Sequence, residues 1–184
     1  MQHGPVNTAT AFLTALNAEN WEGAAGWIEP DVAATFQREV LQYLTAADTG
    51  PRPTSKAADT HFPDLASLLG GSMEELRALP PATFLARYAQ AIHLPNVMAS
   101  QGLPASEAVT AISRSLVTCT PAMGGTATAS VRLVWHCGER TIDRGLQTLP
   151  LVLTPDGWRV SDADFTGTGS GRLRLPPPHS AGRW

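Results

Sequence analysis

Residues 111–137 read AISRSLVTCTPAMGGTATASVRLVWHC, two runs rich in β-branched residues on either side of Met123-Gly124-Gly125. In the second run Val131, Leu133 and Trp135 alternate with Arg132, Val134 and His136, the two-residue period of a strand with one buried face, so the odd positions face a core. Folding the first run back about a turn centred between Met123 and Gly124 sets Ile112 opposite Trp135, Arg114 opposite Leu133, Leu116 opposite Val131 and Cys119 opposite Thr128. A slip of one residue would bury Ala111, Ser113 and Ser115, a poorer apolar match, which favours the first register.

That register puts Arg114 in the middle of the inward row Ile112, Arg114, Leu116. A charge there needs a partner or a solvated pocket. The planar fork of Arg114 suits a ligand carboxylate or phosphate; the other reading is a structural ion pair, with Asp143 as the acid, or a side chain reaching the sheet edge. Cys119 and Cys137 stand far apart along the strands in this register, too far for the Cα separation of under about 7 Å that a disulfide needs, so both are expected as free thiols.

Working outward, Gly138 and Pro155-Asp156-Gly157 are further turn signals, and strands are expected near 107–119, 127–137, 140–153 and 157–165. Across the last turn Leu151 opposes Val160 and Leu153 opposes Trp158, which carries Asp162 and Asp164 along the same face. Upstream the period is helical. Ala9, Phe12, Leu13 and Leu16 predict a helix over 8–18, Trp21, Ala24, Ala25 and Ile28 a second, and Val32, Phe36, Val40 and Leu44 a third capped by Asp31. Residues 48–60, with Pro51, Pro53 and Gly50, predict a surface loop, and a short helix is expected over 63–69. Ser72 with Glu75 forms a capping box. Phe84, Leu85, Tyr88 and Ile92 form the stripe of a last helix that Pro95 should end. The expected fold class is α+β: helices (8–93) packed on a curved four-stranded antiparallel sheet (107–165) in one domain, followed by a Gly/Pro-rich basic tail (166–184) without regular structure.

The chain has 184 residues, 43% of them hydrophobic and only 16% charged, enough to bury one core. The net charge of −3 hides an acidic body: residues 1–165 hold ten basic and sixteen acidic side chains. Nucleic-acid binding is therefore disfavoured. The start MQHGPVNTATAF has neither a basic leader nor a long apolar run, so a cytoplasmic protein with no membrane partner is expected.

The opening TATAFLTALNAENWEGAAGWI, the meander and the closing LVLTPDGWRVSDADF together resemble the nuclear-transport-factor-2-like (ketosteroid-isomerase-like) superfamily over residues 8–29 and 107–165. The resemblance implies a cone whose curved sheet wraps helices and leaves a pocket at its open end. It also implies a range of roles, from isomerases, cyclases and dehydratases to proteins that only bind or dimerise. Residues 31–93 depart from it, being helical where the family has a strand or hairpin.

No histidine pair has metal-ligand spacing, no phosphate-binding glycine loop precedes a helix, and there is no G-x-S-x-G elbow, so neither metal nor cofactor is expected. What remains is a pocket for a small apolar or anionic ligand lined by Arg114, Trp135, Tyr88, Asp143 and Asp162. An acid/base enzyme acting on an apolar substrate is the alternative. Val117, Val134 and His136 on the outer sheet face suggest a homodimer or assembly module.

Overall fold

The computed structural model describes residues 4–49, 69–100, 102 and 108–162. Six helices among them come first: α1 (Pro5–Asn17), α2 (Trp21–Ala25), α3 (Pro30–Thr49), α4 (Met73–Ala78), α5 (Pro81–Ile92) and α6 (Leu94–Ser100). Then β1 (Ala111–Ala122), β2 (Thr126–Cys137), β3 (Arg140–Thr154) and β4 (Gly157–Val160) form one antiparallel sheet in the order β1-β2-β3-β4. The expected α+β class holds, with the helices packed on a curled, half-barrel sheet.

Proline placement explains where several helices begin. Pro5 and Pro81 stand in the first turn of α1 and α5, and α3 starts at Pro30; a first-turn residue has no intrahelical acceptor for its N–H, so proline costs nothing there. The same logic corrects one expectation. Pro95 does not end the helical region but sits in the first turn of α6. His93 links the two helices, its N–H bonding Gln90 and its carbonyl accepting from Val97 at 3.0 Å. The capping box forms as read: Ser72 Oγ accepts from the Glu75 N–H and Glu75 Oε2 from the Ser72 N–H. Of the loop expected over 48–60, residues 48 and 49 instead complete α3; the rest of that loop, the helix over 63–68, Asp164 and the tail fall outside the described residues.

The β1–β2 register is the expected one from Ile112↔Trp135 through Leu116↔Val131. It then shifts by one residue at Val117, so Cys119 opposes Ala129 rather than Thr128. A bulge of this kind turns the following residues over. Cys119 now packs against the core, while Thr118 and Thr120 are exposed. Cys137 is buried in a separate cluster at the other end of β2, and both thiols are free.

Both sheet edges are occupied. Residues 27–29 add to β4 as a parallel bridge, with the Val160 N–H donating to Trp27 O and the Glu29 N–H to Val160 O, each at 2.9 Å. On β1 the Asn17 side chain imitates a strand partner: Nδ2 donates to Arg114 O at 2.7 Å and Oδ1 accepts from Arg114 N at 2.9 Å.

The main core joins Phe12, Leu13 and Leu16 of α1 and Leu85 and Ala89 of α5 to Ala127, Ala129, Leu149, Leu151 and Val160 of the sheet. A second, purely helical cluster holds Val40, Leu44, Leu69, Leu76, Phe84 and Tyr88. The sheet is covered unevenly. Leu149 and Leu151 are buried, whereas every residue of β3 from Arg140 to Leu146 is exposed, so one end of the curled sheet is closed by helices and the other is open along β3, while β1 and β2 beside it are covered by α6.

Candidate functional site

The inner sheet face toward the open end is organised around Leu133, which is 1% exposed. Arg114 pairs with it from β1, Gly145 pairs with it from β3, and Trp135 follows it by one inward position. Gln147, two residues from Gly145, opposes Val131 on the same face. A bulge at Arg144 separates Gly145 from Asp143, and Gly145 adopts φ +82°, a conformation glycine takes at no steric cost. A Cβ built there would meet nothing within 4 Å, which leaves room beside Leu133.

Helices supply the other wall. Leu94 and Met98 of α6 pack, with Trp135, against the buried cluster of Val109, Ile112, Leu133 and Cys137, and His93 precedes Leu94 at the α5–α6 junction. The His93 ring meets Trp21 edge to face, centroids 4.8 Å apart. Glu19, at the α1–α2 junction, lies in the electrostatic reach of both His93 and Arg114.

Five buried polar atoms on four side chains here have no hydrogen-bond partner: Arg114 Nη1 and Nη2, His93 Nδ1, Trp135 Nε1 and Gln147 Nε2. Arg114 is 6% exposed and His93 3%. Buried polar groups are ordinarily paired, because an orphan forfeits its hydration without compensation. Desolvation pulls the Arg114 guanidinium down to about 10, against the opposing pull of Glu19. At neutral pH it is still a cation. Desolvation likewise lowers the His93 imidazole, with Glu19 and the Asn96 side chain raising it and Arg114 lowering it further.

The structure brings two of the five sequence-derived residues together, Arg114 and Trp135. Asp143 is not the partner of Arg114. It stands on the exposed outer face in an ion pair with Arg132, with a further bond from the Gly145 N–H at 2.8 Å, and the Arg132 bond holds its carboxyl below the usual range. The alternation of β2 explains the correction, since Asp143 opposes Val134, an outward position. Tyr88 packs in the helical cluster, edge to face with Phe36 at 4.8 Å. Asp162 is half-buried just beyond β4.

His93, Gln147 and Glu19 were not singled out from the sequence. The first two had a signal. His93 continues the i, i+4 row of Leu85 and Ala89, and Gln147 shares the two-residue row of Leu149 and Leu151. Glu19 had none, because its left-handed backbone (φ 54°) is not a conformation glutamate advertises. Among the described residues no group of three His, Cys, Asp or Glu could hold a metal, and no helix is long and apolar enough to cross a membrane. No protein-family model, curated protein or solved structure matches the chain.

Proposed function

We propose that this protein binds a small, partly apolar anion at the open end of its curled sheet, in the manner the nuclear-transport-factor-2-like resemblance implies. One observation carries the reading: a guanidinium 6% exposed, with both terminal nitrogens lacking an acceptor, set among apolar residues at the end of the sheet where β3 is exposed. An anion seated there supplies the acceptors Arg114 lacks, by two parallel N–H···O bonds. Ile112, Leu133 and Trp135 provide the apolar surface that small-molecule sites ordinarily use.

Thermal unfolding with a panel of carboxylate and phosphate compounds tests this. Anions should raise the melting temperature of the wild type and leave Arg114→Met unmoved; a wild type indifferent to every anion, or an Arg114→Met variant that responds equally, rules the site out.

A second reading is acid/base catalysis on a bound apolar substrate, favoured by the neutral, buried His93 imidazole beside Arg114. A third is assembly through the outer sheet face, favoured by Leu146 and Val117, which are 64% and 51% exposed. Light scattering that returns the monomer mass of 19.5 kDa at high micromolar concentration would exclude a homodimer.

A further inference from the structure

The unpartnered N–H groups at the open end outnumber what a single carboxylate can accept. We infer that the ligand carries an uncharged carbonyl beside its carboxylate, a 2-oxo acid on an apolar body, and that Trp135 is the residue that recognises the carbonyl; this rests on the anion-binding reading above.

Arg114 Nη1 and Nη2 carry two N–H bonds each and Trp135 Nε1 carries one, and none of them is bonded within the protein. A carboxylate offers about four lone-pair sites, two of which the parallel bonds of the guanidinium fork already occupy. Even without the amide of Gln147, a donor therefore remains unserved. Arginine and the indole donate and never accept, so what the ligand must add is a second acceptor. A hydroxyl or an ammonium in that place would bring a further donor among donors, at the cost of another unpaired polar group.

The register puts both side chains within reach of one small molecule. Arg114 pairs with Leu133 and Ile112 with Trp135, so Arg114 and Trp135 are diagonal neighbours on the inner face. Such neighbours stand about 7–8 Å apart, a span that long and aromatic side chains cover. The indole is held in place. It packs against Val109, Ile112, Leu133 and Cys137, and the guanidinium carbon of the exposed Arg144 lies 4.3 Å from its ring centroid. A fixed ring aims a fixed N–H. On the other side of Leu133 stands Gly145, where a Cβ would meet nothing within 4 Å, and this leaves space for the ligand's apolar body beside the two donors. His93 Nδ1, unpartnered as well, accepts or donates according to its tautomer, and the hydroxyl probe below reports on it.

Titration calorimetry of the full chain at neutral pH tests the inference with monoanions of nearly one size: benzoylformate, which has the carbonyl, phenylacetate, which has a methylene in its place, and mandelate, which has a hydroxyl. The wild type should take benzoylformate at least about threefold more tightly than either of the others, the gain of one added neutral hydrogen bond. Trp135→Phe keeps an aromatic ring and loses the N–H, so it should bring benzoylformate down to the level of phenylacetate while phenylacetate still binds. Arg114→Met should lose every probe. In proton–nitrogen correlation spectra of the wild type, the Trp135 indole N–H resonance should move downfield with benzoylformate and far less with phenylacetate, which tests the contact even where the variant fails to fold. If the wild type binds benzoylformate and phenylacetate alike, if mandelate matches benzoylformate, or if the indole resonance stays in place, the carbonyl assignment is wrong and the anion site stands. If no probe binds, the anion site fails and the assignment falls with it.

Discussion

The two ends of the inner sheet face are built from the same strands and behave as opposites. At the closed end Ala127, Ala129, Leu149 and Leu151 meet Phe12, Leu13 and Leu16 in a packed apolar layer. At the open end the same strands carry Arg114, Trp135 and Gln147, whose Nη1 and Nη2, Nε1 and Nε2 atoms respectively are buried without partners. The first arrangement stabilises by removing apolar surface from water; the second burdens the fold by removing polar groups from water. Proteins keep such burdens where binding relieves them, and this contrast is what supports the proposed site.

The contrast is broken or sharpened most strongly by truncating one large inward side chain at each end. Leu151→Ala removes a side chain that is 1% exposed from the closed layer and should cost about 2–5 kcal/mol, as buried Leu truncations do. Arg114→Met should run the other way, stabilising by on the order of 1–3 kcal/mol, because methionine fills similar volume and removes the desolvation of a charge. Urea midpoints of the two variants against the wild type decide it. An Arg114→Met variant less stable than the wild type would mean that the guanidinium has a structural acceptor and that the two ends are alike.

Most of this contrast was legible in sequence. The Arg114↔Leu133 register, and the conflict of a charge in an apolar row, follow from a two-residue period and one turn. What the period could not show was where it breaks. The bulge at Val117 returns Cys119 to the core, and the bulge at Arg144 leaves Asp143 outward beside Arg132; each depends on tertiary fit rather than on local pattern. Pro95 misled for a related reason, since the same residue can close one helix or open the next, and only the turn of chain at His93 distinguishes them.

Histidine 93 offers a way to sharpen the comparison by pH. Its surroundings are Trp21 from α2, Glu19 from the α1–α2 junction, Asn96 from α6 and Arg114 from β1. The folded value lies below the ordinary one near 6.5, so as pH falls through that value the unfolded chain binds a proton that the folded chain refuses. Unfolded chains that bind more protons lower stability with falling pH, so folding should weaken between pH 7 and pH 5, by no more than about 1.4 kcal/mol per pH unit for one proton. His93→Leu should flatten that slope, measured as the difference in urea midpoint at the two pH values. An unchanged slope would mean that the imidazole titrates as it does in water and is not part of a desolvated site.

The smallest expected effect separates two costs carried by one residue. Glu19 has a left-handed backbone at φ 54°, which for a residue with a Cβ is worth on the order of 1 kcal/mol of strain. Glycine has no Cβ to clash with the carbonyl, but it gives the unfolded chain more freedom and returns part of that gain. Glu19→Gly should therefore raise stability by about 0.5 kcal/mol, within reach of paired urea titrations. Glu19→Ala keeps the Cβ and the strain while removing the carboxylate, so it should leave stability near the wild type. A gain in Glu19→Ala equal to that in Glu19→Gly would place the cost in the charge rather than in the backbone. In that case the left-handed turn is a neutral way of joining α1 to α2, and the open end differs from the closed end by its buried donors alone.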